Sequence, residues 1–239
     1  MRTLAVLCLV GGLTAGLLLC GCGGGGDVDV VVPPAGFVGT WGGVGLDGNG
    51  NPRGDAVFEV QPDGDIVMAD IGGASLAGSI TTAAAGQVIG HVTSLDGAIR
   101  IDFTDPKMGH VTGTGDLDLN DTGHATGTAG GKAFNLTLWR ANWHTARTLN
   151  VTVQGAPVGT VSVDADGIVT GTFTIEGQVT PVRVGVVTGA GHIAITFWCN
   201  DVGDAGGTVF VEGDMNINGA TGTWKDETGD SGTWTAVFA

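Results

Sequence analysis

Three short patterns carry residue types suited to ligand chemistry. Gly43-Val44-Gly45-Leu46-Asp47-Gly48 spells G-x-G-x-x-G, which cradles a dinucleotide only where a helix opens directly behind it. Asn, Gly and Pro follow instead, so no nucleotide site is expected. Asp214-Met215-Asn216-Ile217-Asn218-Gly219 supplies the first oxygen ligands of a calcium loop, yet Lys225 stands where the bidentate Glu belongs. Asp214, Asn216 and Asn218 are therefore calcium candidates against a plainer expectation. That expectation is a strand with Met215 and Ile217 inward, ending in an Asn218-Gly219 hairpin. Arg53-Gly54-Asp55 spells an integrin-type tripeptide in a Gly/Pro/Asn neighbourhood, which predicts an exposed loop.

Catalytic constellations are missing from the pattern. The sequence holds no G-x-S-x-G, S-x-x-K or H-E-x-x-H, and its 5 His show no paired ligand spacing. No catalytic residue, metal site or cofactor is assigned, and the chain reads as a non-enzyme. The 6 Trp are the better handle, because with 0 Tyr they carry the largest apolar surfaces. Trp41, Trp139, Trp198, Trp224 and Trp234 are candidates for a stacking platform or cavity wall for a small ligand. The alternative is core filling at barrel ends. Trp139 and Trp143 also flank a repeat junction, where an inter-unit contact would use them. Cys199 is expected to be a buried small hydrophobe.

These residues need elements to position them, and composition narrows which. Of 239 residues 46 are Gly, without a Gly-X-Y period, and 42% are hydrophobic, too many for a disordered acidic chain. A net charge of −15 argues against nucleic acid, whose phosphates need clustered Lys and Arg. Apolar and polar residues alternate over short runs such as Ala56-Val57-Phe58-Glu59-Val60 and Ile193-Ala194-Ile195-Thr196-Phe197. Asp63-Gly64, Asp96-Gly97, Asp166-Gly167 and Asn218-Gly219 supply hairpin turns between such runs. The pattern predicts an all-β antiparallel meander without helices.

The meander is duplicated. Gly115-Asp116-Leu117-Asp118-Leu119-Asn120 matches Gly213-Asp214-Met215-Asn216-Ile217-Asn218, and Ala125-Thr126-Gly127-Thr128 matches Ala220-Thr221-Gly222-Thr223 in the same order. Two tandem repeats are expected at 37–143 and 144–239, each of about eight strands. They would form two small barrels or one combined closed sheet. Short strands and the lack of Tyr girdles argue against a transmembrane barrel.

The N-terminus carries an address. Arg2 precedes an uncharged apolar run over 4–19, the plan of a secretory leader. Its end, Leu19-Cys20-Gly21-Cys22, resembles the lipobox of bacterial lipoproteins. That resemblance implies cleavage after residue 21, acylation of Cys22, and, with Gly23 rather than Asp behind it, an outer-membrane destination. Residues 22–36 then read as a Gly/Pro tether.

Phe37-Val38-Gly39-Thr40-Trp41 resembles the opening of avidin-like and lipocalin-like up-and-down barrels. The run from Thr160 to Phe173 resembles the first hairpin of streptavidin. The resemblance implies eight-stranded barrels with a ligand cavity. It departs where biotin binders place a Tyr and a Ser, since Phe173 and Ile175 stand there, and where Gly42-Gly43 replace an expected Asn. Two functions are carried forward, beside a third, hydrolytic reading that would need two carboxylates within about 10 Å in one cleft. One is a lipid-anchored, non-catalytic envelope protein acting as a structural or interaction module, held to the membrane by its lipid, with an envelope protein or glycan as partner. The other is a calyx-type binding protein for a small apolar or carbohydrate ligand.

Overall fold

A computed structural model describes residues 32–69, 86–200, 202 and 206–239. The expected leader over 1–21, Cys22 and residues 22–31 of the expected tether lie outside the described residues. The described chain is all-β and folds as two closed antiparallel barrels in tandem. The first is made of β1 (Gly39–Leu46), β2 (Pro52–Val60), β3 (Asp65–Met68), β4 (Val88–Val92), β5 (Ala98–Asp105), β6 (Gly109–Leu117), β7 (Thr122–Ala129) and β8 (Lys132–Arg140). The second is made of β9 (Arg147–Val153), β10 (Ala156–Val163), β11 (Val169–Ile175), β12 (Gln178–Val187), β13 (His192–Cys199), β14 (Gly207–Asn216), β15 (Gly219–Asp226) and β16 (Ser231–Phe238). β1 closes on β8 through Trp41 opposite Arg140, and β9 closes on β16 through Val153 opposite Trp234. Of the two architectures the repeats allowed, the chain takes two separate barrels.

Much of the acidity is turn chemistry. The carboxylates of Asp47, Asp63, Asp118, Asp164 and Asp226 each accept a backbone N–H two residues on, at 2.8–3.1 Å. This is the side-chain capping that makes Asp favourable in tight turns. At the β10–β11 turn Gly167 takes φ 86°, and a Cβ there would sit 2.7 Å from the Trp143 amide nitrogen.

Alternation along each strand sends one set of side chains inward. Trp41, Phe58, Ile66, Ile99, Leu117 and Leu138 fill the first barrel; Leu149, Val161, Phe173, Ile193, Ile195 and Val211 fill the second. Five strands depart from one-sided burial. In β1, β2, β12, β13 and β14 long stretches are buried on both faces. Their outward residues face the other barrel, and Val44, Trp139, Val186, Ala194 and Phe210 form a third apolar cluster between the two. The approach is close because of Gly42. A Cβ on it would lie 2.8 Å from Val184 Cγ1 and 2.9 Å from Val186 Cγ1, both on β12.

Two expectations are corrected here. Met215 points inward, but Ile217 is the tip of the β14–β15 turn and is 92% exposed. Arg53-Gly54-Asp55 lies within β2 rather than in a loop. The Asp55 side chain is fully buried, so the tripeptide is not presented for adhesion. Burial on two sides by a neighbouring barrel, which alternation in one strand does not reveal, is the cause.

Candidate functional site

Two places concentrate chemistry: the interior of the second barrel and the seam between barrels.

The second barrel is incompletely filled. A cavity of about 300 Å³ is lined by residues including Val151, Phe173, Phe197, Val209, Trp224 and Trp234. Small β-branched residues on several inward positions leave the space that larger side chains would take. The cavity lies toward the end of the barrel bounded by the β9–β10, β11–β12 and β15–β16 turns, with Val153, Glu176 and Asp226 on its wall. Trp234 is held by its indole N–H, which donates to the Glu212 carbonyl at 2.9 Å. Phe173 stacks on Phe197 with centroids 4.4 Å apart. Phe173 and Ile175, where the resemblance to biotin binders asks for hydroxyl ligands, present apolar side chains to the space. Such a wall suits an apolar body, whose transfer from water contributes roughly 25 cal/mol per Å² buried. The cavity sits at the small end of ligand sites, which run about 300–1,000 Å³.

Cys199 is a buried free thiol on the same wall, as its expected role of small hydrophobe requires. The first barrel leaves much less room. Its corresponding space, among Phe58, Met68, Ile101, Phe103, Met108 and Phe134, is about 90 Å³ among the described residues.

The seam is polar at one point and apolar around it. Asp55 Oδ1 accepts from Arg183 Nη2 at 3.1 Å, and Oδ2 accepts from the Thr196 hydroxyl at 2.9 Å. Burial raises the Asp55 carboxyl above its ordinary value, against the Arg183 charge and the Thr196 hydrogen bond, which both favour the carboxylate. Arg183 is 5% exposed, and its Nε and Nη1 have no hydrogen-bond partner among the described residues. Its guanidinium carbon lies 6.0 Å from the Trp198 ring centroid. Removing either partner of such a pair strands the other charge.

Nearby, Trp139 stacks on His192 and on Phe210, at centroid distances of 5.6 and 5.5 Å. At the repeat junction Asp121 is a second tie. Its carboxylate accepts from Arg140 Nε at 2.7 Å, from Asn142 Nδ2 at 3.1 Å and from the Gly189 amide of the second barrel at 2.9 Å. An exposed contact adds to these, with Arg53 bridging Asp47 at 2.7 Å and Glu227 at 3.1 Å.

The five candidate Trp residues therefore separate. Trp224 and Trp234 line the cavity. Trp41 is fully buried in the first barrel, its indole N–H donating to the Phe37 carbonyl at 2.9 Å. Trp139 and Trp198 belong to the seam. Trp143 packs on the second core. The calcium candidates are also dispersed in role. Asp214 faces His192 Nδ1 at 3.3 Å, and Asn216 Oδ1 accepts the Asn218 amide at 2.8 Å. Among the described residues no three His, Cys, Asp or Glu gather in ligating geometry. Gly43 and Gly45 of the G-x-G-x-x-G run are wall positions in β1, and a turn, not a helix, follows.

Sequence reasoning missed Asp55, Arg183 and Glu176. A signal for the first two existed: the near-continuous apolar run 182–187, broken by Arg183, is the pattern of a strand buried on both faces. No family model, curated protein or solved structure matches the chain, so its activity has to be read from the cavity and the seam themselves.

Proposed function

We propose that this chain is a non-catalytic binding protein of the bacterial cell envelope, anchored through a lipid on Cys22, whose second barrel is a calyx for a small apolar molecule. The observation that carries the binding role is the apolar cavity of about 300 Å³ walled by Trp224, Trp234, Phe173 and Phe197. The lipobox over Leu19-Cys20-Gly21-Cys22 supports the anchor. A neutral fluorescent probe, N-phenyl-1-naphthylamine, is expected to bind saturably and to quench indole emission. Val209→Trp, which fills the space, should abolish that binding. A probe signal that rises linearly without saturation removes the calyx. Palmitate labelling lost in Cys22→Ala tests the anchor separately, and a secreted, unmodified chain removes it.

A second reading, a structural module, is favoured by the seam, which ties both barrels through Asp55, Arg183 and Asp121. It expects no saturable probe binding in either barrel.

A further inference from the structure

Resting on the calyx reading of the second barrel, we propose that its ligand is a cationic amphiphile. A small apolar body sits among Val151, Phe173, Phe197 and Val209, and a positively charged amine head meets Glu176 at the mouth. Thiol aside, the ionisable side chains lining the cavity are two carboxylates, Glu176 and Asp226, with no Lys, Arg or His among the described lining residues.

The two carboxylates differ in what they already hold. Asp226 is 7% exposed, and its Oδ1 accepts the Thr228, Gly229 and Asp230 amides at 2.9–3.0 Å and the Thr228 hydroxyl at 2.7 Å. Its charge is absorbed by the β15–β16 turn. Glu176 is exposed and makes no hydrogen bond or ion pair with any described residue. It also stands at φ 49°, ahead of Gly177 at φ 83°. A non-glycine residue costs of order 1–2 kcal/mol in that region. The β9–β10 turn at the same end uses Gln154 at φ 50°, a neutral amide in the same conformation. At Glu176 the turn instead presents an unpaired carboxylate beside an apolar hole.

The basic side chains of neighbouring strands are engaged elsewhere, Arg53 by Asp47 and Glu227, Lys225 by the Asn49 carbonyl at 3.2 Å, and Arg183 by Asp55 at 3.1 Å. An anionic head would enter against uncompensated negative charge; an ammonium head would complete a pair. The space of about 300 Å³ lies at the small end of ligand sites, about 300–1,000 Å³, which limits the apolar body to a small one.

The test is displacement of N-phenyl-1-naphthylamine from the whole chain by octylammonium, octanol and octanoate, which share one apolar body. Octylammonium is expected to displace at about fivefold lower concentration than octanol, the size of a partly screened ion pair, with octanoate weakest. Glu176→Gln should bring octylammonium level with octanol, and Glu176→Lys should reverse the order of the two ions. Equal displacement by all three, or octanoate strongest, overturns the charge selection and leaves the calyx standing. A probe that never binds overturns both.

Discussion

The two barrels share one strand grammar and spend it differently. In the first, Phe103, Phe134, Met108 and Leu136 crowd the interior and leave about 90 Å³. In the second, corresponding strands leave about 300 Å³ behind Val151, Val209 and Val211. The outer faces are where the two cooperate. β1 and β2 of one barrel lie against β12, β13 and β14 of the other, through Gly42 and the Val44–Trp139–Phe210 cluster. The two copies thus differ inside and agree outside: one interior is closely filled and the other is partly empty, while each barrel buries part of its outer wall against the other.

That contrast can be broken at the seam first. Asp55→Ala leaves Arg183 buried without its partner and should cost about 3–5 kcal/mol in urea unfolding; a loss below about 1 kcal/mol would show that the pair does not hold the barrels. Gly42→Ala forces a methyl onto Val184 and Val186 and should cost about 1–3 kcal/mol by overpacking. Gly48→Ala, whose Cβ would meet nothing within 4 Å, is the control and should change stability by less.

The interiors are compared with a matched pair. Val111 and Val209 are each 5% exposed and line the smaller and larger spaces respectively. Val111→Trp should cost about 1–3 kcal/mol, while Val209→Trp should cost less than Val111→Trp and eliminate probe binding. Equal costs would mean that the second barrel is as tightly filled as the first.

The smallest effects are in pH dependence, where seam and surface carry opposite signs. Asp55 is raised in the folded state by burial. The unfolded chain therefore releases that proton first, and Asp55's contribution falls as pH rises from the ordinary carboxyl value near 3.8 to its raised folded value. Asp102, exposed on β5, is lowered by the His110 hydrogen bond and then by Arg100. Its contribution is present above 3.8 and is lost as pH falls, and it is small because solvent screens the pair. Unfolding free energies of Asp55→Asn and Asp102→Asn, measured from pH 3 to 7, should diverge from the parent with opposite slopes. Parallel curves would contradict these assignments.

Much of the fold was legible because hairpin chemistry is local. Asp63-Gly64 and Asp166-Gly167 each set a turn within four residues, and the repeat of Gly, Asp and Ala positions announced the duplication. The seam was harder. Alternation tells which side of β2 points inward through Phe58 and Val60, but not that Asp55 and Val57 on the other side meet a second barrel. The same limit separated the Trp candidates. Trp224 and Trp234 reached the cavity, whereas Trp41 went to the core and Trp139 and Trp198 to the seam, and an indole is apolar enough to serve in any of these places. Glu176 was masked by its exposure, since turn carboxylates are common and the cavity it lines is not visible in the sequence.

The placement of Phe37 bears on how the molecule would work on a surface. Phe37 packs beside Gly97 and Leu117, at the end of the first barrel that carries the Asp96-Gly97 and Asp118–Asp121 turns. The Asn142 junction meets the second barrel at that same end, beside Gly167 and Gly189. Glu176 and Val153 lie at the opposite end. The described chain therefore enters the first barrel at the end opposite the one where the cavity of the second barrel opens. On the proposed Cys22 anchor, residues 22–36 would join the barrels at the end away from that opening, so the attachment would leave it unobstructed.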